Sequence, residues 1–211
     1  DVACSPDLVR LAIDSSSLPV CVSAIEPALF PHAVAAGASM IEIGNFDSFY
    51  PEGRIFTADE VLSLTKESRK LLPTTFLSVT VPHVLPLDKQ AELAIDLADL
   101  GVDLIQTEGG TSAKPISPGI QGLIEKASPT LAATFSIVSA LRKAKKPIPV
   151  LSASGLSAVT VPLAIASGAV GVGVGSAVNR LDDHLAMIAE IRRLREGFDL
   201  FTLTREVYQS E

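Results

Sequence analysis

Ala35-Ala36-Gly37-Ala38-Ser39-Met40-Ile41-Glu42-Ile43-Gly44 holds a helix end, a glycine and an apolar run in one short stretch. The phrase returns as Asp99-Leu100-Gly101-Val102-Asp103-Leu104-Ile105-Gln106-Thr107-Glu108, and again as Ala166-Ser167-Gly168-Ala169-Val170-Gly171-Val172-Gly173-Val174-Gly175. Each time a helical pattern stops at a glycine suited to the left-handed cap position, and an apolar strand starts about two residues later. The glycines are 64 and 67 residues apart, which is two strand–helix units per interval and the rhythm of an alternating α/β fold.

Outward from these phrases, strands are expected at Val20–Ala24, Met40–Gly44, Phe76–Val81, Leu104–Glu108, Ile148–Ala153 and Val170–Gly175. Ser5-Pro6 opens a helix to about Ser16, with proline at the first helical position. Thr57-Ala58-Asp59-Glu60 is a capping box opening a helix to about Leu71, and Asp88 opens another to Leu100. Further helices are expected at Pro27–Ala36, Pro129–Ala144, Ala158–Ser167 and Asp182–Arg195.

Asp1–Cys4 directly precedes a helix cap and reads as the end of a seventh strand. Counted back from the last glycine-rich strand, it is strand two of eight. The expected fold is therefore α/β, a (β/α)8 TIM barrel lacking its first βα unit in this chain, roughly 30–40 residues. A doubly wound sheet is the rival, but no dinucleotide fingerprint with its acidic partner occurs. A single barrel domain is expected over residues 1–196, followed by a mixed apolar and charged tail over 197–211.

Of the 211 residues, 47% are hydrophobic and 19% charged, enough apolar surface for a large core. Seventeen basic and twenty-four acidic residues give a net charge of −7. The one basic cluster, Arg142, Lys143, Lys145 and Lys146, falls where cations favour a helix C-terminus, so no nucleic-acid partner is expected. Cys4 and Cys21 have no metal-ligand spacing and read as small core thiols of a reducing compartment. Ala158–Val178 carries no charge, but Pro162 and its glycines mark helix, cap and buried strand, so no transmembrane segment is expected.

In such a barrel, function gathers at the C-terminal ends of the strands. Ser152-Ala153-Ser154-Gly155-Leu156-Ser157 and Gly171-Val172-Gly173-Val174-Gly175-Ser176 end the strands counted seventh and eighth, and each runs into a helix. Loops of this kind hold phosphates through free backbone N–H groups without needing lysine. Ser154, Gly155, Gly175 and Ser176 are the candidate phosphate-binding residues, which makes the barrel one of the phosphate-binding type. The alternative is that these glycines serve tight packing alone.

Glu42, Glu108 and His83 are the candidate catalytic residues. A carboxylate in an apolar barrel mouth has its pKa raised and suits acid–base work. Glu42 stands out because its strand is otherwise apolar. Gln106 and Glu108 share a face by alternation, and Asp1 ends strand two. His83 follows a strand after Pro82, while His32 and His184 fall in helices. One histidine with scattered carboxylates is a poor metal site, so no metal is assigned. No strand end carries a lysine for Schiff-base chemistry, and Lys114 lies in a loop. Two long loops, Asn45–Arg54 and Gly109–Gly119, bring Arg54 and Lys114 as candidate contacts for an anion.

The stretches Met40–Tyr50, Leu77–His83, Ile105–Ser112, Ala153–Thr160 and Gly171–Arg180 resemble the hypothetical chloroplast reading frame twenty-three family of cyanobacterial and plastid proteins. The likeness runs from Asp1 to about Arg195. It implies a TIM barrel with a phosphate-binding end, in the chloroplast stroma or a cyanobacterial cytoplasm. In that family the chain begins earlier, with a strand and a helix ahead of the position of Asp1. No catalytic residue is carried over.

Two functions fit these features. One is an enzyme that isomerises, epimerises or cleaves a small phosphorylated metabolite. The other is a non-catalytic regulatory or accessory subunit of a chloroplast protein complex. The cofactor is unknown, a flavin phosphate in the same pocket being a further reading, and a homo-oligomer is compatible with either.

Overall fold

The computed structural model describes residues 2–111 and 113–209, with side chains described as far as Asp199. Asp1 and Ser112, both named from the sequence, lie outside the described residues. The strands are β1 (Val2–Ala3), β2 (Cys21–Ala24), β3 (Met40–Ile43), β4 (Phe76–Thr80), β5 (Leu104–Gln106), β6 (Val150–Ala153) and β7 (Gly171–Gly173). They form one parallel sheet in the order β1-β2-β3-β4-β5-β6-β7. Strictly sequential order is barrel topology, because a doubly wound sheet permutes its strands about a switch point. The sheet is an arc, with no pairing between β1 and β7 among the described residues.

The helices are α1 (Pro6–Ser15), α2 (Phe30–Ala35), α3 (Ala58–Leu71), α4 (Leu87–Asp99), α5 (Gly119–Lys143), α6 (Val161–Ala166), α7 (Ser176–Asn179) and α8 (His184–Gln209). Strand alternation separates two environments. Outward residues Val22, Ile41, Ile43, Leu77, Val79 and Ile105 are fully buried beneath the helices, against Val9, Phe30, Val61, Leu93, Leu97 and Ile137. Inward residues Glu42, Ser78, Thr80 and Gln106 line the concave interior.

The recurring glycine phrase is a Schellman cap. Gly37, Gly101 and Gly168 have φ of +114°, +73° and +101°. The following N–H groups reach back five residues: Ala38 to Ala33 O at 3.1 Å, Val102 to Leu97 O at 3.3 Å and Ala169 to Ala164 O at 3.2 Å. A fourth cap lacks glycine. Lys145 takes φ +58° at the end of α5, and Lys146 N–H donates to Leu141 O at 3.0 Å. Arg69, near the end of α3, ties one of these caps to the starts of two strands. Its guanidinium donates to Gly101 O (Nε, 3.0 Å), to Thr75 O (Nη1, 2.6 Å) and to the Asp103 carboxylate.

Several boundaries differ from the sequence expectation. The helix expected from Pro129 begins at Gly119, with Pro129 inside it. Glu125 stabilises its first turns by accepting from Ile116 N–H at 2.7 Å, Ser117 N–H at 3.0 Å and the Ser117 hydroxyl at 2.6 Å. These bonds hold its carboxyl below the usual range, the Ser117 hydroxyl contributing most. The helix expected from Ala158 opens only at Val161, because Ser157–Thr160 forms a hydrogen-bonded turn first. The segment expected as a helix from Pro27 divides into a 3-10 turn, Pro27–Leu29, and α2. The box at Thr57 is half made. Its hydroxyl accepts from Glu60 N–H at 3.2 Å, while the Glu60 carboxylate turns to Arg54 at 2.8 Å. At the other end, α8 runs unbroken through residue 197 to Gln209.

Candidate functional site

The strand ends and their loops enclose a cavity of about 1240 Å³. Glu42, Glu108, Ser154, Gly155, Gly175 and Ser176 all line it, so the structure brings six of the seven sequence candidates into one chamber. His83 does not line it and stands beside Glu108 instead.

Glu42 points inward from β3 and is 2% exposed. Its Oε1 accepts from Thr80 Oγ1 at 2.9 Å and Gln106 Nε2 at 2.6 Å. Burial pushes its carboxyl up, against the opposing hydrogen bonds of Thr80 and Ser23. Asn45 turns the chain after β3 by adopting φ +59°, and its amide donates to Ser23 Oγ at 2.8 Å. That turn carries Asp47 back over the mouth. Cys21, on the same interior face, has its thiol pushed up to about 12 by burial first and by Glu42 second.

Glu108 lies just past β5 and is 5% exposed. Its Oε1 accepts from Tyr50 Oη at 2.5 Å and from His83 N–H at 3.0 Å, and lies 3.1 Å from His83 Nδ1. Glu108 Oε2 is buried with no partner among the described residues. Asp47 Oδ1 approaches the same Nδ1 at 3.2 Å. Hydrogen bonding to Asp47 first and Glu108 second lifts the His83 pKa to about 9. Burial, with Glu108 second, raises the Tyr50 phenol. The loop carrying Tyr50 is packed down rather than loose. Phe46 and Phe56 are fully buried with ring centroids 4.4 Å apart, and Phe49 meets Phe56 edge-on at 5.6 Å.

After β6, the strand next to β5, Ser154 and Gly155 both take left-handed backbone, at φ +73° and +74°. The Ser154 hydroxyl accepts from Thr111 N–H at 3.0 Å and donates to Asp47 Oδ2 at 3.3 Å. The hydroxyl is thus committed to the protein, and what it does is join the two halves of the mouth. Gly155 lies against Gly110 so closely that a Cβ on Gly110 would stand 2.2 Å from Gly155 Cα. Beneath them, Thr107 Oγ1 accepts from Ala153 N–H at 3.1 Å and Thr130 Oγ1 donates to Ala153 O at 2.6 Å, continuing the β5–β6 pairing through side chains. Gly175 has open space where a Cβ would stand.

The cations lining the cavity are not those expected. Arg54 pairs with Glu60 and covers the Phe56 ring at 4.6 Å. Neither Arg54 nor Lys114 lines the cavity. Lys126 and Arg180 do, and neither side chain has a hydrogen bond or ion pair among the described residues. Arg180 follows Ser176 by one helical turn, a spacing readable in the sequence. Lys126 lies in the stretch between Gly119 and Pro129 to which the sequence pattern assigns no element, and which the structure makes the first part of α5.

A family described as "Protein of unknown function (DUF561)" matches residues 1–200. The uncharacterised protein ycf23 of Cyanophora paradoxa is 48% identical over 189 residues, covering 89% of this chain and 75% of that protein. Its counterpart in Porphyra purpurea is 37% identical over 191 residues, covering 90% and 70%. Solved structures share the fold at low identity. One described as native KDPGal has a TM-score of 0.59 at 11% identity, covering 94% of this chain and 76% of that one. Thiamine phosphate pyrophosphorylase from Pyrococcus furiosus has 0.58 at 14% identity, covering 93% and 76%.

Proposed function

The chain belongs to the DUF561 family, and from that premise we propose that it binds a small phosphorylated metabolite and moves a proton on it. The observation that carries this reading is the pair Lys126 and Arg180. Two cations with no side-chain partner among the described residues line one cavity with Gly155, Gly175 and Ser176. A phosphoryl group there gains charge-assisted hydrogen bonds and free backbone N–H groups. The barrel is thus read as one of the phosphate-binding type, working in the chloroplast stroma or a cyanobacterial cytoplasm as the family likeness implies.

Glu42 is the acid–base group the geometry supports best. It lines the same chamber, and burial keeps its proton on to higher pH than an exposed carboxyl. Gln106 and Thr80 fix its Oε1 and so orient the proton-bearing face. A carboxyl placed this way suits proton transfer beside a carbonyl, as in isomerisation, epimerisation or carbon–carbon cleavage.

The test has two readouts. Titration calorimetry with inorganic phosphate and with triose phosphates should show saturable binding that Lys126→Met and Arg180→Met each weaken about tenfold. Proton NMR in deuterium oxide should show exchange of a substrate C–H in a panel of phosphorylated aldoses and ketoses, and Glu42→Gln should abolish it. Binding left unchanged by both cation variants overturns the phosphate site. Exchange that persists in Glu42→Gln overturns the proton-transfer role.

A further inference from the structure

We propose that Asp47, His83 and Glu108 form a binding site for one divalent transition cation, of which Mn2+ is the probe. Their ligand atoms all lie within 4.8 Å of one another. The two distances that matter are shorter: His83 Nδ1 is 3.2 Å from Asp47 Oδ1 and 3.1 Å from Glu108 Oε1. An octahedral cation with bonds of about 2.1 Å needs neighbouring donors about 3.0 Å apart, and the two distances from His83 Nδ1 already match that separation. One imidazole with two carboxylate oxygens is a donor set that suits a borderline divalent ion.

A second observation points the same way. Glu108 is 5% exposed, and its Oε2 is buried with no hydrogen-bond partner among the described residues. A carboxylate oxygen desolvated without compensation is unfavourable, and a bound cation supplies the missing charge. The surroundings hold the donors in place. Tyr50 Oη and His83 N–H both bond Glu108 Oε1, and Ser154 Oγ bonds Asp47 Oδ2. Such outer contacts fix the orientation of ligand side chains. Access is through the chamber, which Asp47 and Glu108 both line.

This site is independent of the phosphate reading, since none of its three residues belongs to the proposed anion site.

The experiment is Mn2+ titration of the chelator-treated full chain in phosphate-free buffer, followed by the electron paramagnetic resonance of free Mn2+. One equivalent should bind. Asp47→Asn and His83→Ala should each weaken it about tenfold or more. Pulsed resonance should show nitrogen coupling in the parent protein that is absent in His83→Ala. Circular dichroism melts of each variant separate lost binding from lost fold, and Asp47→Asn, on a loop, is the safer of the two. No saturable binding overturns the site. So does binding without nitrogen coupling, which would mean that carboxylates elsewhere hold the ion and His83 is only an imidazolium clamped between two acids.

Discussion

Gly110→Ala is the sharpest perturbation the geometry offers. A Cβ there would stand 2.2 Å from both the Cα and the N of Gly155 and 2.4 Å from the carbonyl carbon of Ser154, against an ordinary contact of 3.4 Å or more. All three atoms are backbone, so no side chain can swing aside. The two loops must part by more than 1 Å, and the 3.0 Å bond from Thr111 N–H to Ser154 Oγ is lost with them. Overpacking of this kind costs about 1–3 kcal/mol, and a rigid obstacle puts it at the upper end. For a chain of this size that is a fall in melting temperature of about 5–10 °C. Gly175→Ala is the matched control, because a Cβ there meets nothing within 4 Å. It should melt within a degree or two of the parent while weakening phosphate binding, since its methyl occupies the space a ligand oxygen would use. The assay is a calorimetric melt of both variants with and without inorganic phosphate. An unchanged melting temperature for Gly110→Ala would refute the loop crossing. A fall for Gly175→Ala equal to that of Gly110→Ala would refute the reasoning from local space.

Glu42→Gln should stabilise the protein increasingly as pH rises. Burial raises the folded pKa, so the carboxyl's contribution is fully present below its unfolded pKa and is lost as pH rises through the folded one. Parent and variant should melt alike below about pH 4 and separate by pH 8, and a constant gap would contradict a neutral buried carboxyl. Thr107→Val keeps the shape but leaves the buried Ala153 N–H unpaired beneath the Ser154 turn, a loss of about 1–3 kcal/mol by denaturant titration. Arg69→Lys cannot hold three acceptors in a planar fork and should lose about 2 kcal/mol, which a chemical melt would read. Cys21, with its thiol near 12, should resist iodoacetamide at pH 8 in the folded protein and react once unfolded, as peptide mass mapping would show.

The repeated phrase around Gly37, Gly101 and Gly168 carried the fold because each glycine answers a backbone requirement that side chains rarely meet. The fourth cap stayed invisible for the converse reason: Lys145 adopts the same left-handed backbone without the residue that announces it. Glu42 was conspicuous as one charge in an apolar strand. Its partners Thr80 and Gln106 sit on the next two strands, β4 and β5, where only register brings them together. Asp47 meets His83 through a turn set by Asn45 at positive φ, and no spacing along the chain reports such a meeting. Lys126 was missed through the rule that proline opens helices, which α5 breaks at Pro129.

The alternation within each strand also bears on how such a protein can change. Ile41 and Ile43 flank Glu42, and Leu77 and Val79 interleave with Ser78 and Thr80. The outward set is locked under helices, while the inward set faces only the chamber. Inheritance of the scaffold is therefore nearly uncoupled from inheritance of the ligand. A library randomised at positions 42, 78, 80 and 106 should remain largely folded while its members diverge in what they bind, and one randomised at 41, 43, 77 and 79 should yield few folded clones.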